Sequence, residues 1–270
     1  ASDVYKRQHI NKLTDISLNR NIGYLKTFLK WCRYSGIKID ETYNQVTVST
    51  RDADHIHLNK KQVETLASLK LNKTLDKYRD LFLIGVYSGQ RFSDYTVFEK
   101  ADVVNGRIEK RAEKTDYKSY IPISKKLKGL LDKWEWRMPK VSNQKFNDNI
   151  KEVCRIAEFT DEVKTAKFLG NQKIEEVKPF YKCVTSHTAR RTFITLASEA
   201  NVPDHIIMGI CGIRDSKTLK TYKKFNPDVL ENYVGVFTKD EQNSFRIIWN
   251  SDEKITKDYS GVTFNGPNEY

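Results

Sequence analysis

Cysteine is scarce in this chain and unpaired in pattern. Its 270 residues include four, Cys32, Cys154, Cys183 and Cys211, far apart and with no CxxC pair. That spacing argues against a zinc ribbon or a disulfide framework and points to a reducing compartment. Five histidines are scattered apart from His55 and His57, which sit in a polar connecting stretch and read as surface. No metal or other cofactor is therefore expected. No apolar run reaches the length of a membrane span, no secretory leader is visible, and no internal repeat stands out. The chain opens on Ala1 in residues that make an arbitrary domain start, so further sequence upstream is expected.

Acidic residues are also in deficit. Asp and Glu total 35 against 47 Lys and Arg, a net charge of +12. Such an excess suits a polyanionic partner, nucleic acid before an anionic membrane surface, although a basic surface can also serve only to keep a protein dispersed. The 39% hydrophobic and 11% aromatic content is enough for a sizeable core.

Periodicity predicts a mainly helical chain with a small antiparallel sheet, an α+β fold. Ile22, Leu25, Phe28, Leu29 and Cys32 recur at helical spacing over 18–34, with Gly36 as a stop. One such helix cannot bury its own apolar face, so it reads as part of a small helical domain. Residues 38–57 are polar and aperiodic, a linker with an extended piece at Val46–Val48. Helices are predicted from about 58, with Asn59 as cap, and over 76–88. Asn105-Gly106 marks a turn between strands within 103–123. Helices follow at 124–137 and 143–158, a hairpin within 162–182, then helices at 187–200, 203–210 and 215–224. The predicted division is 1–50, a partial helical domain and linker; 51–240, the main domain; and 241–270, a polar tail. The apolar residues of Asp228–Phe237 fit either a helix on its own domain or one given to a neighbouring protomer.

Four segments carry chemistry together: Ser88-Gly89-Gln90-Arg91-Phe92-Ser93-Asp94, Glu113-Lys114-Thr115, Ser186-His187-Thr188-Ala189-Arg190-Arg191-Thr192, and Thr221-Tyr222-Lys223-Lys224. Phosphodiester exchange without a metal needs a nucleophile able to form a phosphoester, and a tyrosine phenol can do so. It needs cations on the non-bridging oxygens, a role suited to the paired N–H groups of arginine. It needs an acid for the leaving 5′ oxygen, which a lysine on a hairpin can supply. Arg91, Lys114, His187, Arg190 and Tyr222 provide all of these. His187 and Arg190, three apart, share a helix face; Arg191 is taken to point elsewhere. Each residue alone has a plainer reading: Tyr222 as one of 14 tyrosines, Arg91 as a helix cap or partner of Asp94, Lys114 as one of several lysines in its sheet, His187 as a buried structural histidine. Lys217, Lys220, Lys223 and Lys224 form either a solvated face or a DNA contact.

In their order and spacing these segments resemble the tyrosine recombinase (phage integrase) family, especially integrases of Bacteroides-type mobile elements. Arg91 follows a Ser-Gly-Gln turn where the family has a Thr-Gly-Leu-like one, and Asp94 stands three residues on. Lys114 occupies the hairpin-lysine position, His187 and Arg190 form the His-x-x-Arg box, and Tyr222 lies 32 residues after Arg190. The resemblance spans roughly 20–236. It implies a catalytic domain preceded by part of a core-binding domain, site-specific DNA strand cleavage and rejoining through a 3′-phosphotyrosyl intermediate, and no need for metal or ATP. It also implies a double-stranded DNA partner, a homotetrameric synapse, no membrane, and a bacterial cytoplasmic, nucleoid-associated location. Asp94 is expected to orient the site. One position departs: nine residues before the tyrosine, where the family has His or Trp, stands Ile213, which cannot hydrogen-bond a phosphate. That leaves open a weakened or binding-only relative. A type IB topoisomerase, which would relax supercoils without partner sites, and a basic RNA-binding module fit the segments less well.

Overall fold

The computed structural model describes residues 13–48, 56–111, 117–169 and 172–222. The first element is helix α1 (Asp15–Tyr34), capped by Thr14, whose hydroxyl accepts from Ser17 N. Its Leu18, Ile22 and Cys32 are buried, but Tyr24, Leu25, Phe28 and Trp31 are exposed, Phe28 and Trp31 stacked on one another. A 3₁₀ turn at Glu41–Gln45 interrupts the predicted linker, because the Asp40 carboxylate accepts from Thr42 N and starts it. Val46–Val48 joins no strand among the described residues.

Helices α2 (Lys60–Ser68) and α3 (Lys73–Ser88) start on asparagine caps. At α2 the cap is reciprocal: Asn59 Oδ1 accepts from Gln62 N at 2.8 Å and Gln62 Oε1 from Asn59 N at 2.9 Å, which satisfies two otherwise orphaned donors. From Tyr78 onward α3 is buried nearly all round, with Leu81, Phe82, Leu83 and Ile84 each at most 2% exposed. It is the axis of the domain. Helices α2, α4 (Phe92–Tyr95), α5 (Lys125–Lys133), α6 (Asn143–Ile156) and α8 (Ser186–Glu199) all pack against it.

Strands β1 (Val103–Val104), β2 (Arg107–Arg111) and β3 (Lys118–Pro122) form an antiparallel sheet in that order. Asn105 and Gly106, both at positive φ, make the predicted turn, and Ile108 pairs with Ile121 on the buried face. Helix α5 ends at Lys133, four residues short of the expected end, because Glu135 and Trp136 turn to positive φ. Strands β4 (Glu162–Leu169) and β5 (Gln172–Pro179) build the predicted hairpin, leading into the short helix α7 (Phe180–Cys183). Helices α9 (Asp204–Cys211) and α10 (Ser216–Lys220) complete the described chain. A second apolar cluster, Phe193, Ile194, Ala197, Ile207, Cys211, Ile213 and Leu219, joins α8, α9 and α10 and takes the Tyr222 ring on its edge. Burial of these side chains is what fixes the Tyr222 turn on α8. The Asp228–Phe237 segment and the polar tail lie outside the described residues. No described helix is long and apolar enough to cross a membrane.

Candidate active site

The site is assembled where the end of α3, the start of α8 and the end of α9 meet. Helix α3 stops at Gly89, whose φ of +67° suits a left-handed cap. A Cβ at Gly89 would also lie 2.5 Å from the Phe193 ring, so only glycine lets the turn press against α8. Helix α9 stops in the same way at Gly212, φ +62°, where a Cβ would lie 2.5 Å from Ser119 Oγ on β3.

These two helix ends are tied together by side chains. The last carbonyls of a helix lack partners within it. Here Gln90 Nε2 donates to Ile210 O at 2.5 Å, and Arg190 Nη1 donates to Cys211 O at 2.6 Å and to Gly89 O at 3.1 Å. Arg190 is 1% exposed, the largest fully buried side chain of the described chain. Sequence reasoning quoted Gln90 but gave it no role; its partner is 120 residues away, and no local pattern announces it.

Arg91 follows at once, in the N-cap position of α4, half-buried, with Nη1 3.8 Å from Asp94 Oδ2. Burial lowers the basicity of its guanidinium and the like charge of Arg190 lowers it further, while Asp94 and Tyr222 act the other way. It stays charged at neutral pH nonetheless.

The first turns of α8 are rigidly held. Ser186 N donates to Asn147 Oδ1 at 2.8 Å, Thr185 N to Thr188 Oγ1 at 3.0 Å, and Leu58 N to Thr192 Oγ1 at 2.9 Å. On this helix His187 Nε2 stands 3.0 Å from Tyr222 Oη. Of the five expected catalytic residues, four are therefore brought to one place: Arg91, His187, Arg190 and Tyr222. Lys114 lies outside the described residues; Tyr117, just before β3, has its carbonyl 3.8 Å from a Cβ placed at Gly212. Lys217 and Lys220 are exposed on or beside α10; Lys223 and Lys224 lie outside the described residues.

Arg191 is half-buried, and its charge interacts with Tyr222. Three enclosed guanidinium nitrogens, Arg91 Nη1, Arg190 Nε and Arg191 Nε, have no acceptor among the described residues. Buried donors are nearly always satisfied. Cationic donors of this kind, two of them on arginines that interact electrostatically with Tyr222, suit an anion with several oxygens.

The other side chains at hand are poor nucleophiles. Burial pushes the Cys211 thiol up to about 11, against the pull of Arg190 and Arg91, which keeps it neutral at physiological pH. Tyr95 is fully enclosed and its phenol is raised by burial. Ile213, 3% exposed, turns its side chain into the apolar cluster. The described residues contain no cluster of metal-ligating side chains.

No family model matches the chain, and no curated protein matches its sequence. Among solved structures it resembles a lambda integrase dimer bound to a COC′ core site, with a TM-score of 0.60 and 15% identity over 83% of this chain and 77% of that one. It resembles XerH site-specific recombinase bound to a palindromic difH substrate, at 0.59 and 14%, over 85% and 67%. It resembles the Tn1549 transposon integrase in complex with circular intermediate DNA, at 0.56 and 15%, over 87% and 83%. At such identities the likeness is one of fold, and the fold is shared across most of each chain.

Proposed function

We propose that this chain, which has the tyrosine recombinase fold, is a site-specific DNA recombinase that cleaves and rejoins strands through a covalent phosphotyrosine. The observation that carries this reading is the 3.0 Å contact between His187 Nε2 and Tyr222 Oη, in a site where Arg91, Arg190 and Arg191 each hold an enclosed nitrogen with no acceptor among the described residues.

Tyr222 Oη attacks a phosphodiester phosphorus. The new bond is O–P to the tyrosine, and the bond to the 5′ oxygen breaks. The phenol proton passes to His187 Nε2 in its neutral tautomer, and Lys114 gives a proton to the departing 5′ oxygen. Arg91 and Arg190 hold the non-bridging oxygens as charge grows on them, with Asp94 setting the position of Arg91. A 5′ hydroxyl then reverses the attack. The phosphoester is exchanged, not hydrolysed, so no nucleotide cofactor is consumed, and the guanidinium groups do the work that a metal ion does elsewhere.

The partner in this reading is double-stranded DNA, with Lys217, Lys220, Lys223 and Lys224 on its backbone and four copies of the chain in the working synapse. Residues 1–50 belong to a second, DNA-clamping helical domain, residues 51–240 to the catalytic one, and 241–270 to a tail. The protein acts in the bacterial cytoplasm at the nucleoid, in the service of a mobile element.

A binding-only relative is the second reading, and Ile213 favours it, because its buried side chain offers no donor. Covalent trapping separates the two. Nicked duplexes from the ends of the source element, mixed with the protein and run under denaturing conditions, are expected to yield a protein–DNA adduct that Tyr222→Phe abolishes. Specific binding with no adduct would establish the second reading.

A further inference from the structure

Gln90 is 1% exposed, and its side chain spans two helix ends. Its Nε2 donates to Ser88 O, the last residue of α3, at 3.2 Å and to Ile210 O, in the last turn of α9, at 2.5 Å. Both partners are carbonyls, so the amide nitrogen, not its oxygen, must face them. One residue further along each helix, Arg190 Nη1 repeats the pattern on Gly89 O and Cys211 O, at 3.1 and 2.6 Å. Two rungs thus join the helix ends: Ser88 to Ile210 through a neutral amide, and Gly89 to Cys211 through a guanidinium. Each rung also satisfies carbonyls that a helix end leaves open.

Arg91 depends on such a tie. Its ion pair with Asp94 is 3.8 Å long, beyond hydrogen-bond reach, and its enclosed Nη1 has no acceptor among the described residues. Its backbone therefore does most of the holding. Downstream, Arg91 O accepts from Asp94 N and Tyr95 N, both at 3.0 Å. Upstream, Arg91 is bonded directly to Gln90. The charge of Arg190 works against that of Arg91, which favours driving the two apart. The amide rung opposes that separation and adds no charge of its own.

We infer that Gln90 is a positioning residue for strand cleavage: its amide locks the end of α3 to the end of α9, and so fixes Arg91 relative to Arg190 and to the segment that leads into Tyr222. The inference rests on the reading of Tyr222 as nucleophile. Gln90 itself touches no DNA and exchanges no proton. It acts through Arg91.

Single-turnover cleavage of a nicked duplex at saturating protein, with duplex affinity measured separately, tests this. Gln90→Met keeps the length of the side chain and removes both donors. It is expected to slow cleavage by about 10- to 100-fold, the scale of a displaced catalytic group, with affinity changed less than about threefold. Val153→Ala, which trims a fully buried side chain of α6, controls for lost stability; it is expected to lower Tm and leave cleavage unchanged. Residues that act as a unit do not add, so Gln90→Met with Arg91→Met is expected to cleave no more slowly than Arg91→Met alone. Should melts show Gln90→Met unfolded, Gln90→Asn, whose amide is one methylene too short for Ile210, carries the same expectations. A full cleavage rate in the folded variant, a slowing matched by Val153→Ala, or a loss that multiplies with that of Arg91→Met would overturn the inference and leave Gln90 a stabilising hydrogen bond, with the recombinase reading intact. No adduct from the unaltered chain would remove that reading, and the inference with it.

Discussion

Helix α3 has one arginine near its middle and another just past its end, and the two keep different electrostatic company. Arg79 donates from Nε to Asp80 at 2.8 Å, from Nη1 to Leu69 O at 2.6 Å, and from Nη2 to Asp76. Lys133 bridges the same two carboxylates at 2.5 and 2.6 Å, and Trp134 Nε1 donates to Asp80 at 3.1 Å. Two cations meet two anions there. Past the end of α3, Arg91 and Arg190 repel one another with Asp94 beside Arg91, and enclosed nitrogens of Arg91, Arg190 and Arg191 have no acceptor among the described residues. Like charges that a protein does not neutralise itself destabilise it, and persist where something else supplies the counter-charge. The first group explains stability; the second fits the DNA partner of the proposed function.

Breaking the paired group is the first way to test this contrast. Asp80 is fully buried, and Asp80→Ala strands Arg79 and Lys133. A loss on the order of 3–5 kcal/mol is expected from denaturant unfolding, the usual result of removing one partner from a buried ion network. A loss under about 1 kcal/mol would show the network to be solvent-screened.

Breaking the unpaired group is expected to do the opposite. Arg91→Met removes one of the mutually repelling cations, so Tm is expected to hold steady or rise. Strand cleavage is expected to fall by about 10²–10³, the scale of losing a preorganised donor. A clear fall in Tm with cleavage retained would mean that Arg91 is a structural residue like Arg79.

The smallest effect is a pH dependence. Burial works against the ammonium of Lys133, but its hydrogen bonds to Asp76 and Asp80 more than offset this and hold it above the ordinary value of 10.5. A raised basic group contributes stability fully below its unfolded value and loses it as pH climbs through the folded one. The stability gap between the unaltered chain and Lys133→Met is therefore expected to stay constant to about pH 10 and narrow above it. Lys133 is partly exposed, so the gap is modest. A gap that widens at high pH would reverse the assignment.

The same contrast marks what the sequence reveals. Asn59 with Gln62, Asn105-Gly106 and the hairpin of 162–179 are local signals, and each element stands close to its expected place. The four residues that the structure brings together were legible because His187 and Arg190 share a helix and because Arg91 and Tyr222 fall at characteristic distances from them. Contacts that cross the chain left no mark. Gln90 to Ile210, Arg190 to Cys211 and Gly212 against Ser119 arise only when three helix ends converge. Helix α5 was expected to run further because no glycine or proline announces the positive φ of Glu135 and Trp136.

The central claim is that Tyr222 becomes bonded to DNA. Mass spectrometry of the trapped adduct, after nuclease and protease digestion, locates the bond. A nucleotide joined through its 3′ phosphate to the peptide containing Tyr222 is expected, and none from Tyr222→Phe. A nucleotide on any other residue, or an adduct that survives Tyr222→Phe, would contradict it.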